Sequence, residues 1–111
     1  MLYRIWDKKN KQMHYKNYLI DEEKNIYDKN LKKQIKTNYK IMFSTNIKDK
    51  NNKLIYEKDI LNYNNLHFEV RKNNNDQWIL YNLTTKNNTI YLHEHNKRME
   101  IIGNTLETKQ W

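Results

Sequence analysis

The sequence predicts a mainly β domain of short strands joined by tight hairpins, and two observations carry that prediction. Apolar and polar residues alternate over short runs: Leu66, Phe68 and Val70 interleave with His67, Glu69 and Arg71. That period of two places one face of a strand in a core. Clusters of Asn and Asp also recur at short intervals in a chain with one Gly and no Pro. Asn tolerates the left-handed backbone region better than most residues with a side chain, so it takes over turn duty. Short strands between tight turns point to a small barrel or sandwich.

Taken in chain order, "DKKN" (7–10), "DKNN" (49–52), "NNND" (73–76) and "KNN" (86–88) are read as hairpin tips. Between the first two lies "LIDEEKNIYDKNLKKQI" (19–35), which supports two readings. As a helix it has acids in its first turn, bases in its last, and Tyr27, Leu31 and Ile35 at i, i+4 spacing. As a hairpin it turns at "DEEKN", and the hairpin is slightly favoured. "WILYNL" (78–83) is apolar on both faces and reads as the most buried strand. Ile90 and Leu92 alternate with Tyr91 and His93, and "RMEIIGN" (98–104) reads as a further strand. Trp6, Phe43, Trp78, Leu80 and Ile101 are expected to share one core.

A chain of 111 residues is the size of a single domain, 1–111, that buries roughly two-thirds of its unfolded surface. Nine Tyr, three Trp and two Phe supply large buried areas and offset a modest apolar fraction. The absence of Cys excludes a disulfide framework and a thiolate metal site. No apolar run approaches the roughly 20 residues that cross a bilayer, and "MLYRIWDKKN" lacks the apolar stretch of a secretory signal. A soluble protein of the cytoplasm is expected, with no membrane partner.

The net charge of +8 is unevenly spread: residues 1–60 hold 15 Lys/Arg against 8 Asp/Glu, and 61–111 hold 6 against 5. The basic character therefore belongs to the first half. It is either a solvated surface inflated by AT-rich codons, which favour Lys and Asn, or an anion-facing patch.

"YRIWDKKNKQMHY" (3–15), "STNIKDKNNKLIYEKDIL" (44–61) and "EIIGNTLE" (100–107) resemble, in order and spacing, the three blocks of the YopX family of small phage and prophage proteins. That pattern runs F-R-x-W-D, then T-G-x-x-D-x-x-G-x-x-I-Y-E-G-D-I, then I-G-N. The resemblance covers both ends and the middle, with little across 16–40. It implies a small single-domain barrel of Src-homology-3-like type, encoded by mobile elements and working in the cytoplasm of a bacterial host. The family brings no established catalytic mechanism. Where its pattern places Gly, this chain has Asn46, Asn52 and Lys58. Asn adopts positive φ at modest cost, whereas Lys58 would lose roughly 1 kcal/mol there. Asp49, Tyr56, Glu57, Asp59 and Gly103 match the pattern and are read as structural turn residues. The other reading of the middle block is a binding role for Lys48, Lys50 and Lys53.

Signs of catalysis are sparse. "HEH" (93–95) would put His93 and His95 on one face of a strand, but no third ligand stands at a recognisable spacing. His14 and His67 have no nucleophile at motif spacing, and Glu57 and Asp59 share a strand face where turn formation explains them. No metal, no cofactor and no enzymatic activity are expected. The favoured function is a binding protein acting on nucleic acid or on a host nucleoprotein complex, for example inhibiting an RNA-guided nuclease. Lys8, Lys9 and Lys11 at one tip and Lys48, Lys50 and Lys53 at another are the candidate contacts. The alternative is a self-assembling accessory protein, a homo-oligomer paired through its edge strands.

Overall fold

The computed structural model describes residues 2–16, 18–29, 33–35, 38–86, 89–108 and 111. They form a first unit, Met1–Met42, and a second, Phe43–Trp111. Both are built from β-structure, with one short helix among the described residues. The fold is mainly β, with short hairpins.

In the first unit β1 (Tyr3–Asp7) pairs antiparallel with β2 (Gln12–His14), Ile5 opposite His14 and Asp7 opposite Gln12. Ile5 and Trp6 are its buried apolar residues on β1. The segment that supported two readings is a hairpin: β3 (Tyr18–Ile20), β4 (Ile26–Asp28) and β5 (Lys33–Ile35) form a sheet in that order, turning at "DEEKN". Leu31 of the helical alternative lies outside the described residues. The long strand β6 (Tyr39–Lys48) starts beside β1 and continues into the second unit.

There its end pairs with β7 (Leu54–Tyr56), Ser44 opposite Tyr56 and Lys48 opposite Leu54. The register shifts between those pairs, where Asn46 takes a φ of 60°. Five strands make the main sheet: β8 (Asp59–Tyr63), β9 (Leu66–Lys72), β10 (Trp78–Asn82), β11 (Thr89–Tyr91) and β12 (Glu100–Asn104). Their order is β11-β10-β9-β8-β12. One face carries the core of Ile55, Leu61, Phe68, Val70, Leu80, Leu92 and Met99. Here Leu66, Phe68 and Val70 turn to that core as expected, but Glu69 of the alternate set is buried too, ion-paired with Arg71, and all strand pairings are antiparallel.

Three tips share one geometry, which explains how a chain with so little Gly turns so often. At Asp21–Asn25, Asp49–Lys53 and Asn73–Gln77 the first residue's N–H donates to the fifth residue's carbonyl, at 2.9–3.1 Å. The fourth residue is left-handed: Lys24 (66°), Asn52 (64°) and Asp76 (59°). The first side chain, Asp or Asn, accepts from the N–H groups of the third and fifth residues at 2.8–3.0 Å. This is a type I turn closed by a left-handed bulge residue, fixed by an Asx hydrogen bond instead of a glycine. The β8–β9 hairpin differs. Asn64 and Asn65 are both left-handed (50° and 63°), the two-residue arrangement that matches strand twist. The cluster "YNNL" was not among the expected tips. At the expected tip 86–88, Lys86 is left-handed (57°), and 87–88 lie outside the described residues.

Several expectations need correction. "LHEH" is not strand: β11 ends at Tyr91, α1 (Leu92–His95) follows, and a 3-10 turn spans Asn96–Arg98. The cause is topological. β11 and β12 follow each other in the chain but lie at opposite edges of the sheet, so the connection must cross it, burying Leu92 and Met99 as it goes. β10 is not buried on both faces either. Trp78, Ile79 and Tyr81 are half-buried, and Arg71 stacks over the Tyr81 ring at 4.0 Å. Within the main sheet β8 and β9 bury more residues than β10. Of the five expected core residues, Leu80 is central, and Trp78 and Ile101 pack against the cluster half-buried. Phe43 is half-buried, and Trp6 belongs to the first unit.

Candidate functional site

The tip between β6 and β7 is where the sequence concentrates Lys48, Lys50 and Lys53, and all three are exposed. Asp49 stands among them, but its carboxylate is turned inward and occupied. One oxygen accepts from the N–H groups of Asn51 and Lys53 (both 2.9 Å), the other from the N–H of Ile101 (3.0 Å). A carboxylate so placed is buried and screened from a ligand at the tip. The neighbouring acid, Glu100, reaches Lys50 at 3.6 Å with both side chains nearly half-exposed, a contact worth little in water.

The tip is also strapped down. The Asn96 side chain donates to the Lys48 carbonyl (2.7 Å), and the Lys50 N–H donates to the Met99 carbonyl (2.9 Å). With the Asp49–Ile101 bond, three hydrogen bonds hold the hairpin to the connection after α1 and to β12. A basic loop fixed in this way loses little further freedom on binding.

The other family-pattern positions hold the corner after β7. Glu57 and Lys58 form the turn from β7 into β8, with Lys58 left-handed at 73°. The Glu57 N–H donates to the Phe43 carbonyl, the Lys58 N–H to that of Val70, and the Lys58 carbonyl accepts from Thr105 (each 3.0 Å). Asp59, buried at the start of β8, accepts from the Tyr56 N–H at 2.8 Å. Glu57 thus lies in the turn and does not share a strand face with Asp59. All three Gly positions of the pattern (Asn46, Asn52 and Lys58) have positive φ.

Gly103 plays a different part from the turn role expected of it. It lies inside β12, opposite Ile60 and beside a register shift, and its φ is not left-handed. A Cβ at this position would come within 2.7 Å of the Trp111 ring. Close approach, not turn geometry, requires Gly here.

Lys8, Lys9 and Lys11 sit exposed at the β1–β2 tip of the first unit. This tip too is fixed by an acid: Asp7 accepts from the N–H groups of Lys9 (3.0 Å) and Asn10 (3.1 Å) and from the Asn10 side chain (2.8 Å). Burial pushes the Asp7 carboxyl up, but these hydrogen bonds, led by those of Asn10, outweigh it and hold the group below its usual range. Both lysine clusters therefore surround an Asp that the backbone has already engaged.

The histidines do not assemble. His93 and His95, two residues apart on α1, are rotated by roughly 200° about the helix. His95 contacts Arg98 at 2.8 Å, and His93 lies against the Tyr91 ring. Among the described residues no three His, Cys, Asp or Glu side chains group as metal ligands. No helix among them is long and apolar enough to cross a membrane.

A mainly β fold with basic, Asx-fixed hairpin tips is the class of protein that this geometry defines. The YopX protein family model matches residues 2–110, and the chain belongs to that phage and prophage type of family. Among solved structures, the crystal structure of protein EF1440 from Enterococcus faecalis is similar with a TM-score of 0.64 and 20% identity. The match covers 98% of this chain and 95% of that one, a likeness of fold alone. A comparison with curated proteins finds no match.

Proposed function

We propose that this chain is a non-catalytic binding protein that grips the phosphate backbone of nucleic acid through its lysine-bearing hairpin tips. The observation that carries the reading is the β6–β7 tip. Its three lysines are exposed, its acid is spent on three backbone N–H groups, and the loop is strapped in place. Lys8, Lys9 and Lys11 repeat the arrangement around Asp7. Lysines carried on a loop whose backbone is already fixed release counterions from a polyanion without the cost of ordering that loop, which gives affinity without sequence reading. In a family of phage and prophage type, such a protein suits the blocking of a host complex that handles nucleic acid, an RNA-guided nuclease being one form.

Self-assembly through sheet edges is less well supported. β11 has three residues and β12 carries a bulge, both of which discourage edge pairing.

The test is a salt series of binding isotherms with a fluorescent oligonucleotide. Wild type should bind at low salt with log K falling linearly in log salt. Reversal of Lys48, Lys50 and Lys53 to Glu should weaken binding while leaving the melting temperature near that of wild type. No binding at low salt, or isotherms unchanged by reversal at both tips, would turn the reading toward an uncharged protein–protein surface.

A further inference from the structure

Beneath the β6–β7 tip the second unit has an open groove of about 490 Å³ between the hairpin and the α1 connection. The hairpin wall runs Asn46, Ile47, Lys48, Asp49 and Asn52, and the other wall supplies His93, Asn96 and Lys97. We infer that this groove seats one nucleotide unit of a bound strand, its phosphate held between Lys48 and Lys97. The inference rests on the proposed function and assigns it a site that the lysine tips alone do not define.

The chemistry of the walls selects an anion. Lys48 and Lys97 are exposed, and neither makes an ion pair among the described residues. The one carboxylate on the wall is Asp49, whose oxygens already accept three backbone N–H bonds. A cation would meet two ammonium groups, while Ile47 and the lysine methylenes on the walls suit the apolar face of a sugar or base. A phosphate finds two charges and amide donors that suit its oxygens.

The geometry favours a strand over a free ion. About 490 Å³ is far more than one phosphate fills, because a single water takes up roughly 30 Å³ of liquid. The groove is open, so a chain can enter and leave. Its two walls are pinned by the Asn96 side chain on the Lys48 carbonyl at 2.7 Å. Asn46 and Asn52 reach it from left-handed positions (60° and 64°), so the backbone kinks that interrupt the hairpin also shape this wall.

The test uses the full chain and the Lys97→Ala variant, because Lys97 is exposed and lies outside both tips. NMR titration with a single-stranded oligonucleotide should shift the signals of His93, Asn96 and Lys97. Lys97→Ala should lower the slope of log K against log salt by about 0.7, the loss of one phosphate contact on a single strand, with folding unchanged. His93→Ala, probed the same way, serves as a second variant. If the oligonucleotide binds and tip reversal weakens it, but the groove signals and the Lys97→Ala slope stay unchanged, this inference falls and the proposed function stands. If inorganic phosphate shifts the groove signals while no oligonucleotide binds, the strand as occupant is overturned and the proposed function falls with it.

Discussion

Lys58 shows how much a single backbone angle can explain. Its φ of 73° is needed to turn β7 into β8 while three hydrogen bonds tie the corner to Phe43, Val70 and Thr105. For an L residue with a Cβ that conformation costs about 1 kcal/mol. Among the described residues nine others besides Lys58 are left-handed: five Asn, one Asp and three Lys. Asn at these positions was legible, since its side chain tolerates them. The lysines were not, because nothing in their chemistry favours positive φ and only the missing Gly makes them necessary. Lys58→Gly should therefore raise stability by at most about 0.5 kcal/mol, after the roughly 0.4–1 kcal/mol for the added freedom of Gly in the unfolded chain is deducted. The reading is a higher denaturant midpoint at unchanged slope. Asn46→Gly and Asn52→Gly should gain less. A lower midpoint for Lys58→Gly would mean that the lysine side chain stabilises the corner in its own right.

At the level of elements, the hairpins were readable and the crossing was not. A tip leaves a local signature, an Asx residue followed within four positions by Asn or Lys, and "DEEKN", "DKNNK" and "NNNDQ" all show it. "YNNL" was missed because two central residues between strands leave little contrast in composition. "LHEH" was misread because Ile90, Leu92 and their neighbours keep a period of two into the helix. Only the sheet order, which puts β11 and β12 at opposite edges, forces the chain to leave the strand. The candidate site was half legible. The lysine clusters stand out in the sequence, whereas His93, Asn96 and Lys97 approach the tip only through that crossing. The same topology sets the energetics of β10. Leu80 is fully buried at the centre of the core, whereas Trp78 lies at its margin with Lys72 over its ring at 5.2 Å. Leu80→Ala should cost about 2–5 kcal/mol, and Trp78→Ala no more than the low end of the roughly 3–5 kcal/mol of a fully buried Trp, since part of the indole stays in contact with water. Thermal or denaturant unfolding of the two variants decides the ranking. A larger loss for Trp78→Ala would place the indole at the centre of the core.

Over the whole molecule, stability should be lost at both ends of the pH scale for reasons set in the first unit. On the acid side, Asp7 lies below its ordinary value of 3.8 because hydrogen bonds led by those of Asn10 outweigh its burial. Asp21 is lowered too, chiefly by the backbone and side chain of Asn25. A depressed carboxyl contributes stability above its unfolded pKa and loses it as pH falls through the folded one, so the acid arm should descend below about 4. Growing positive charge also repels itself there, which makes the acid arm the less selective test. The alkaline arm is cleaner. Tyr39 is pushed up to about 12, first by its hydrogen bond with Tyr18, then by burial and by the charges of Tyr18 and Asp7. Tyr27 is raised by burial and by Asp21. A raised phenol contributes stability below its unfolded pKa of about 10 and loses it as pH rises toward the folded value, because the unfolded chain ionises first. Near its pI of about 9.5 the chain carries little net charge, so global repulsion does not account for a loss beginning there. Unfolding free energy measured from pH 9 to 12 should fall in the wild type and fall less steeply in Tyr39→Phe, which has no phenol to ionise. Equal alkaline slopes for the two proteins would remove Tyr39 from the account and leave Tyr27 as the group to replace next.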